Sequence, residues 1–483
     1  MKQHLLKATG LLTGVQTLGV VASIVRTKIT ALLIGTAGVG LVNYFSQGIA
    51  LLSNTTGLGL SFSAVQRLGR LYERGQSATI ETYVAVLRSW TLLIAFFGTL
   101  VCLLVGPLMS FSATGTFAQT TLWWWLSPAI GATTLLGTEM AILKGTHRLK
   151  ALALSTGAST LTTLLITAGF YYYIGVEGVV PTLVSCLVAH LGLTLWLTCR
   201  QFPFRTAFCH RTFRTAGRYL IRLGVAYMGA GLMGSGADLL IATLLMRLGG
   251  VQTVGLYAAG FTLTVSYVRL IFSAVDADYF PRLSALIHDR MGAQQLANAQ
   301  VVVLVALVSP CIVGLAGVLP WLVPLLYTDA FMAVVPMVAC ALLSMYFKAI
   351  YTPLAYYALA RAESKIYFFM ETLYYAVLVL AVVGGFMLGR KCFVLPHIGG
   401  LVGAGIGITM ANLFDFCAIA LVYGHRYGFR FEKKTLRFCV LQGLLVGVGL
   451  FASLFAGNIM CFLLPIGCAM LSALYGWQAV KQD

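Results

Sequence analysis

Apolar runs follow one another from the first residues almost to the C-terminus, separated by short polar connections. A helix needs ~20 predominantly apolar residues to cross a bilayer. Applied along the chain, that rule predicts fourteen membrane-spanning helices, at 8–33, 38–65, 80–105, 118–144, 149–173, 178–200, 219–246, 254–278, 298–320, 330–357, 366–389, 399–423, 437–456 and 459–479. The expected fold class is all-α, a polytopic membrane protein. The connections are too short to hold a soluble catalytic domain.

Composition agrees with this pattern. Of 483 residues 59% are hydrophobic and 10% charged, whereas a soluble domain carries ~25% charged residues. Lys and Arg number 32 against 14 acids, a formal charge of +18. With the N-terminus in the cytoplasm, almost all of these cations fall on one side. Only Arg247, Arg390 and Lys391 fall on the other, and Arg26, Lys28, Arg88, Arg269 and Lys348 fall inside spans. Loss of one span from the count would scramble this positive-inside distribution. Both termini are therefore expected in the cytoplasm.

Several function classes drop out. No Gly-Lys dipeptide exists, so the chain has no Walker A phosphate loop. The eleven cysteines are scattered without a C-x-x-C pair, which offers neither a disulfide framework nor zinc spacing. Lys2, His4 and Lys7 before an apolar stretch imitate a signal peptide, but the stretch runs past Lys28 to Gly35 and reads as a retained first membrane helix. Asn54-Thr55-Thr56 matches a glycosylation triplet but lies within a span.

The chain also reads as duplicated. An offset of 215 lays Gly40-Leu41 over Gly255-Leu256 and Arg67-Leu68 over Arg282-Leu283. Two six-helix halves are expected, 1–200 and 219–425, joined by a basic cytoplasmic linker at 201–218 and followed by two further helices within 437–479. Six is even, so the halves share one orientation. Parallel repeats of this kind place a substrate path between halves and suit alternating access.

The segment from Arg26 to Phe45 ends its first helix in a small-residue turn, Gly35-Thr-Ala-Gly38, and opens the second with Gly40-Leu-Val-Asn-Tyr44. It resembles the N-terminal signature of Wzx-type oligosaccharide flippases of the multidrug/oligosaccharidyl-lipid/polysaccharide exporter superfamily. Ala358-Leu-Ala-Arg-Ala-Glu-Ser-Lys-Ile-Tyr-Phe-Phe-Met-Glu371 resembles the loop into the eleventh helix of O-antigen and enterobacterial-common-antigen flippases. The extra C-terminal pair looks more like the fourteen-helix layout of the lipid II flippases. The resemblance implies a non-enzyme of the bacterial inner membrane that moves an undecaprenyl-pyrophosphate-linked glycan from the cytoplasmic to the periplasmic leaflet. It implies membrane lipids, and polymerase and chain-length regulator proteins, as partners. It implies no nucleic acid, no metal and no cofactor beyond coupling to H+, Na+ or the membrane potential.

The charges inside spans are the candidate chemistry. A charge at mid-bilayer costs ~2.5–3.5 kcal/mol on insertion scales, so it should face water or a partner. Guanidinium and ammonium groups match a pyrophosphate, which makes Arg26, Lys28, Arg88, Arg269 and Lys348 candidate substrate ligands, each with a structural ion pair or helix-end anchor as the alternative. A similar arginine to Arg26 lies in the central cavity of the lipid II flippases. Asn43, Gln47 and Asn54 on the second helix could bind sugar hydroxyls, with Ser53 and Thr55 beside them. Asp238, Asp415 and Glu371 could bind a coupling ion or neutralise the cations, and Glu139 lies near the end of helix four. Trp123-Trp124-Trp125 and Tyr171-Tyr172-Tyr173 read as interfacial belts. The alternatives to a flippase are a cation-coupled multidrug exporter of the same superfamily and a membrane polysaccharide polymerase or ligase. The many basic residues in spans argue against the exporter, and the short outer loops argue against the polymerase.

Overall fold

The computed structural model describes residues 2–207, 212–266, 268–361, 363–392, 396–455 and 460–482. They form fourteen α-helices: α1 (Lys2–Thr56), α2 (Leu60–Glu73), α3 (Ser77–Thr114), α4 (Thr120–Gly145), α5 (Leu149–Ile174), α6 (Val179–Cys199), α7 (Thr212–Phe261), α8 (Val268–Leu286), α9 (Arg290–Leu326), α10 (Val335–Ala360), α11 (Ser364–Cys392), α12 (Pro396–Tyr427), α13 (Lys433–Phe455) and α14 (Met460–Gln482). Eleven continuous helical stretches among the described residues are long and apolar enough to cross a membrane. Three contain a break, at Gly35, at Gly175–Gly178 and at Gly250, which reconciles them with the fourteen apolar segments expected. The protein is a multi-pass, all-helical membrane protein.

The breaks at Gly35 and Gly250 are sharp kinks. Gly35 has φ 62 and ψ −165, and Gly250 has φ 80 and ψ 175. That region is essentially reserved for glycine. Val15 lies against Gly157 and Leu68 against Gly145, two sites flanking the α4–α5 turn. The chain must therefore go out and come back around Gly35. The two glycines stand 215 residues apart, the same offset found in the sequence. Packing repeats as well: α3 on α4, α4 on α6 and α5 on α6 in one set, α9 on α10, α10 on α12 and α11 on α12 in the other.

Contacts divide the chain into two compact units, Met1–Val254 and Gly255–Asp483. In the first, α1 packs on α5, and the second apolar segment breaks at Leu58 and Gly59, both at positive φ. It resumes as α2, whose Leu60, Ala64, Leu68 and Leu71 pack on α3 and α4. In the second unit, α8 follows a π-helical turn at Thr262–Ser266, and α13 and α14 pack on α9. The helix expected from 219 starts at Thr212, so part of the expected linker is helical.

The two aromatic triplets are only partly interfacial. Trp124 and Trp125 are 50% and 71% exposed, but Trp123 is fully buried, edge-on to Tyr44 and Phe45. Tyr172 and Tyr173 are exposed while Tyr171 is buried. Three consecutive helical residues span about 200° of arc, so one of each triplet turns inward.

Candidate functional site

Helices α10, α11 and α12 of the second unit meet tightly at one end and part at the other. At the tight end Gly385 and Gly389 of α11 lie so close to Gly403 and Gly399 of α12 that a Cβ on either glycine of α11 would strike backbone. Gly405 of α12 abuts the Met337 carbonyl of α10 in the same way. Small residues at i, i+4 spacing let helix backbones approach within a membrane. Toward the end that carries Arg361, Lys365 and Arg426, larger side chains force the three helices around a cavity of about 190 Å³.

That cavity gathers Lys348 from α10, Glu371 from α11 and Asp415 from α12. Lys348 is half-buried, its charge acts on both carboxylates, and its Nζ lies 5.9 Å from the Phe272 ring. Asp415 is 7% exposed. Six tyrosines share the lining: Tyr351, Tyr356, Tyr367, Tyr374, Tyr375 and Tyr423. Tyr351 donates to Asn412 Oδ1 at 3.0 Å, and Asn412 donates to the Ile408 carbonyl at 2.9 Å, which fixes the floor. Each helix offers a stripe at helical spacing, as in Tyr367, Glu371 and Tyr374 or Asp415, Ile419 and Tyr423. Lys348, Glu371 and Asp415 were singled out from sequence; the tyrosines and Asn412 were not, although those stripes were the available signal.

The polar residues of the second apolar segment lie in the first unit. Asn43, Gln47 and Asn54 share one face of α1, the first two half-buried and Asn54 exposed. Asn54 Nδ2 donates to Ser235 Oγ of α7 at 3.3 Å. Around it a cavity of about 280 Å³ is lined by Ser53, Ser61, Thr133 and Thr134, next to the break at Gly57–Gly59. Leu60, Phe62 and Met228 also line it, and none of its lining residues is charged. Arg26 is exposed on α1 and its charge acts on Tyr171 of α5 and Cys186 of α6. Lys28 and Asp238 are half-buried in the same unit. Asp238 is thus on a different unit from Glu371 and Asp415. The side chain of Arg269 lies outside the described residues.

Arg88 has another occupation. It is 1% exposed and grips Glu139 with two bonds, Nε to Oε1 at 2.7 Å and Nη2 to Oε2 at 2.9 Å. Its Nη1 donates to the carbonyls of Phe202 and Pro203 at 3.0 and 2.9 Å. The next residues extend the grip: the Ala207 amide donates to Ser89 Oγ at 2.7 Å, and Trp90 Nε1 donates to the Phe213 carbonyl at 3.0 Å. Grouped from sequence with the candidate substrate ligands, Arg88 instead fastens the segment after α6 to α3 and α4. With four of five guanidinium donors committed to protein, it has little left to offer a ligand.

The fold is shared with known transporters. The lipid II flippase MurJ in an inward closed conformation aligns with a TM-score of 0.67 at 14% identity, covering 99% of both chains. An inward-facing multidrug resistance MATE family transporter of the MOP superfamily aligns at 0.62 and 15% identity, covering 85% of this chain and 95% of that one. A mutant of the Vibrio cholerae MATE transporter VcmN aligns at 0.53 and 15% identity, covering 88% and 99%. No curated protein sequence matches the chain. The family described as polysaccharide biosynthesis protein matches residues 5–287, more than half of the chain, and the chain belongs to that family.

Proposed function

We propose that the chain is a flippase that carries an undecaprenyl-pyrophosphate-linked oligosaccharide from the cytoplasmic to the periplasmic leaflet of a bacterial inner membrane by alternating access. The observation that carries this reading is membership of the polysaccharide biosynthesis family joined to a fold like that of MurJ along the whole chain. The O-antigen or common-antigen type of cargo fits the sequence resemblance. The cargo's headgroup combines an anionic diphosphate with hydroxyl-rich sugar. Moving it through a low-dielectric layer requires polar groups that replace its water. Arg26, Lys28 and Arg269 are the cations that would receive the diphosphate, and Lys348 would contact the cargo's headgroup. Asn43, Gln47 and Asn54 would receive sugar. The work involves no covalent chemistry.

Coupling to H+, Na+ or the membrane potential would drive it, with Asp238, Glu371 and Asp415 as candidate ion carriers. Polymerase and chain-length regulator proteins would act on the delivered product. The basic end of the bundle would face the cytoplasm. A cation-expelling exporter is favoured by one observation, the paired acids Glu371 and Asp415 in one cavity. Proteoliposomes holding the purified chain separate the two. The flippase moves a fluorescent undecaprenyl-pyrophosphate oligosaccharide, and Arg26→Ala slows it. An exporter moves cationic dyes, confers drug resistance and ignores the glycolipid.

A further inference from the structure

We propose that the cavity between α10, α11 and α12 is a saccharide subsite that accepts a neutral or amino sugar of the cargo and rejects an acidic one. This inference rests on the flippase reading and assigns to one cavity one part of the headgroup.

Three features of the cavity bear on what it can hold. The first is its shape. From Lys348 to Leu359 it follows three turns of α10, and its volume of about 190 Å³ is room for several water volumes rather than for one bare ion. The second is its wall. Six of the lining residues are tyrosines, drawn from all three helices. A tyrosine offers an apolar ring face to the C–H face of a sugar and a hydroxyl to its rim. An acyl chain makes use of the ring face alone. The third is its charge. The ammonium of Lys348 already acts on both Glu371 and Asp415, so the cavity keeps no surplus positive charge to attract an anionic diphosphate or uronic acid. A sugar hydroxyl or amino group would instead donate to the two carboxylates, and Lys348 could donate to a ring or glycosidic oxygen.

The floor suits this use. Tyr351 is held by Asn412, and Asn412 by its own helix, so the polar base is set before a ligand arrives. Tyr356 lies nearer the basic end, its ring 5.7 Å from that of Phe280, and Leu359 beyond it is 37% exposed. Charge lies deep and aromatic surface lies along the way in. The diphosphate is then left to other cations, and Asp238 of the first unit is left as the coupling candidate.

The test uses the full-length protein in proteoliposomes with three lipids on the same polyprenyl pyrophosphate: bare, carrying an N-acetylglucosamine disaccharide, and carrying a galacturonic acid disaccharide. The wild type is expected to move the neutral glycolipid about tenfold faster than the acidic one. Glu371→Gln with Asp415→Asn should erase that preference. Tyr356→Leu should slow the neutral glycolipid about tenfold and leave the bare lipid unaffected. Equal rates for neutral and acidic cargo in the wild type, or slowing of all three lipids alike by Tyr356→Leu, would overturn the subsite. So would a double variant that loses its response to a pH or sodium gradient while keeping its sugar preference. If the wild type moves no lipid, the flippase reading fails. The subsite is then judged by thermal stabilisation of the purified protein: stabilisation by N-acetylglucosamine disaccharide, abolished in Tyr356→Leu, upholds it, and none overturns it.

Discussion

Two clusters of charge sit inside this bundle and they are built in opposite ways. In the first unit Arg88 and Glu139 are solidly enclosed, each oxygen of the acid and four donors of the guanidinium bonded at 2.7–3.0 Å. In the second unit Lys348 shares its charge between Glu371 and Asp415 on different helices, around a hollow. Both would register from sequence as cations within spans. The difference teaches that a buried cation becomes a candidate ligand through what surrounds it. A guanidinium whose donors are consumed by protein is a fastener, and an ammonium that shares its charge with two acids around open volume can respond to a guest.

The contrast can be broken by substitution. Glu139→Ala leaves Arg88 buried without its acid, which costs about 3–5 kcal/mol. A large drop in thermal unfolding temperature is expected, and Arg88→Met with Glu139→Leu should recover much of it. A double variant as unstable as the single one would show that the enclosed pair is more than a fastener. Gly403→Ala pushes α11 from α12, with an expected cost of about 1–3 kcal/mol. Because those helices carry Glu371 and Asp415, glycolipid movement should fall with it. Lys348→Ala should cost much less stability than Glu139→Ala, because Glu371 and Asp415 border a cavity rather than a packed interior, while transport falls about tenfold. Unfolding of that variant would place both clusters in one class. The smallest effect belongs to the exposed pair of Arg282 and Asp278, 65% and 66% exposed. Asp278→Asn should leave both stability and transport where they were.

Much of the architecture is legible along the chain because hydrocarbon imposes a length on every segment. The turn at Gly35 is legible from its small residues, whereas the matching kink at Gly250 emerges only when the 215 offset is carried onto the structure. What is not legible depends on helix rotation. Trp123 and its two neighbours are chemically alike, and only the notch formed by Gly48 and Gly106 selects which of them is buried. Arg88 reveals nothing of Glu139, 51 residues away, or of the Phe202 carbonyl 114 residues away. The tyrosine wall draws on three helices whose facing sides no single stripe discloses.

The glycines that press α10, α11 and α12 together at one end have a mechanical consequence. Helices riveted where no side chain intervenes can barely shear there, so compliance is confined to the far end, as with the arms of tongs. A guest that spreads the arms does so against a fixed pivot about 18 Å away, the distance from Gly403 to Asp415 along α12. Small angular play at the pivot then becomes a graded opening at the tips, and the size of what is gripped is reported to the rest of the second unit as a tilt.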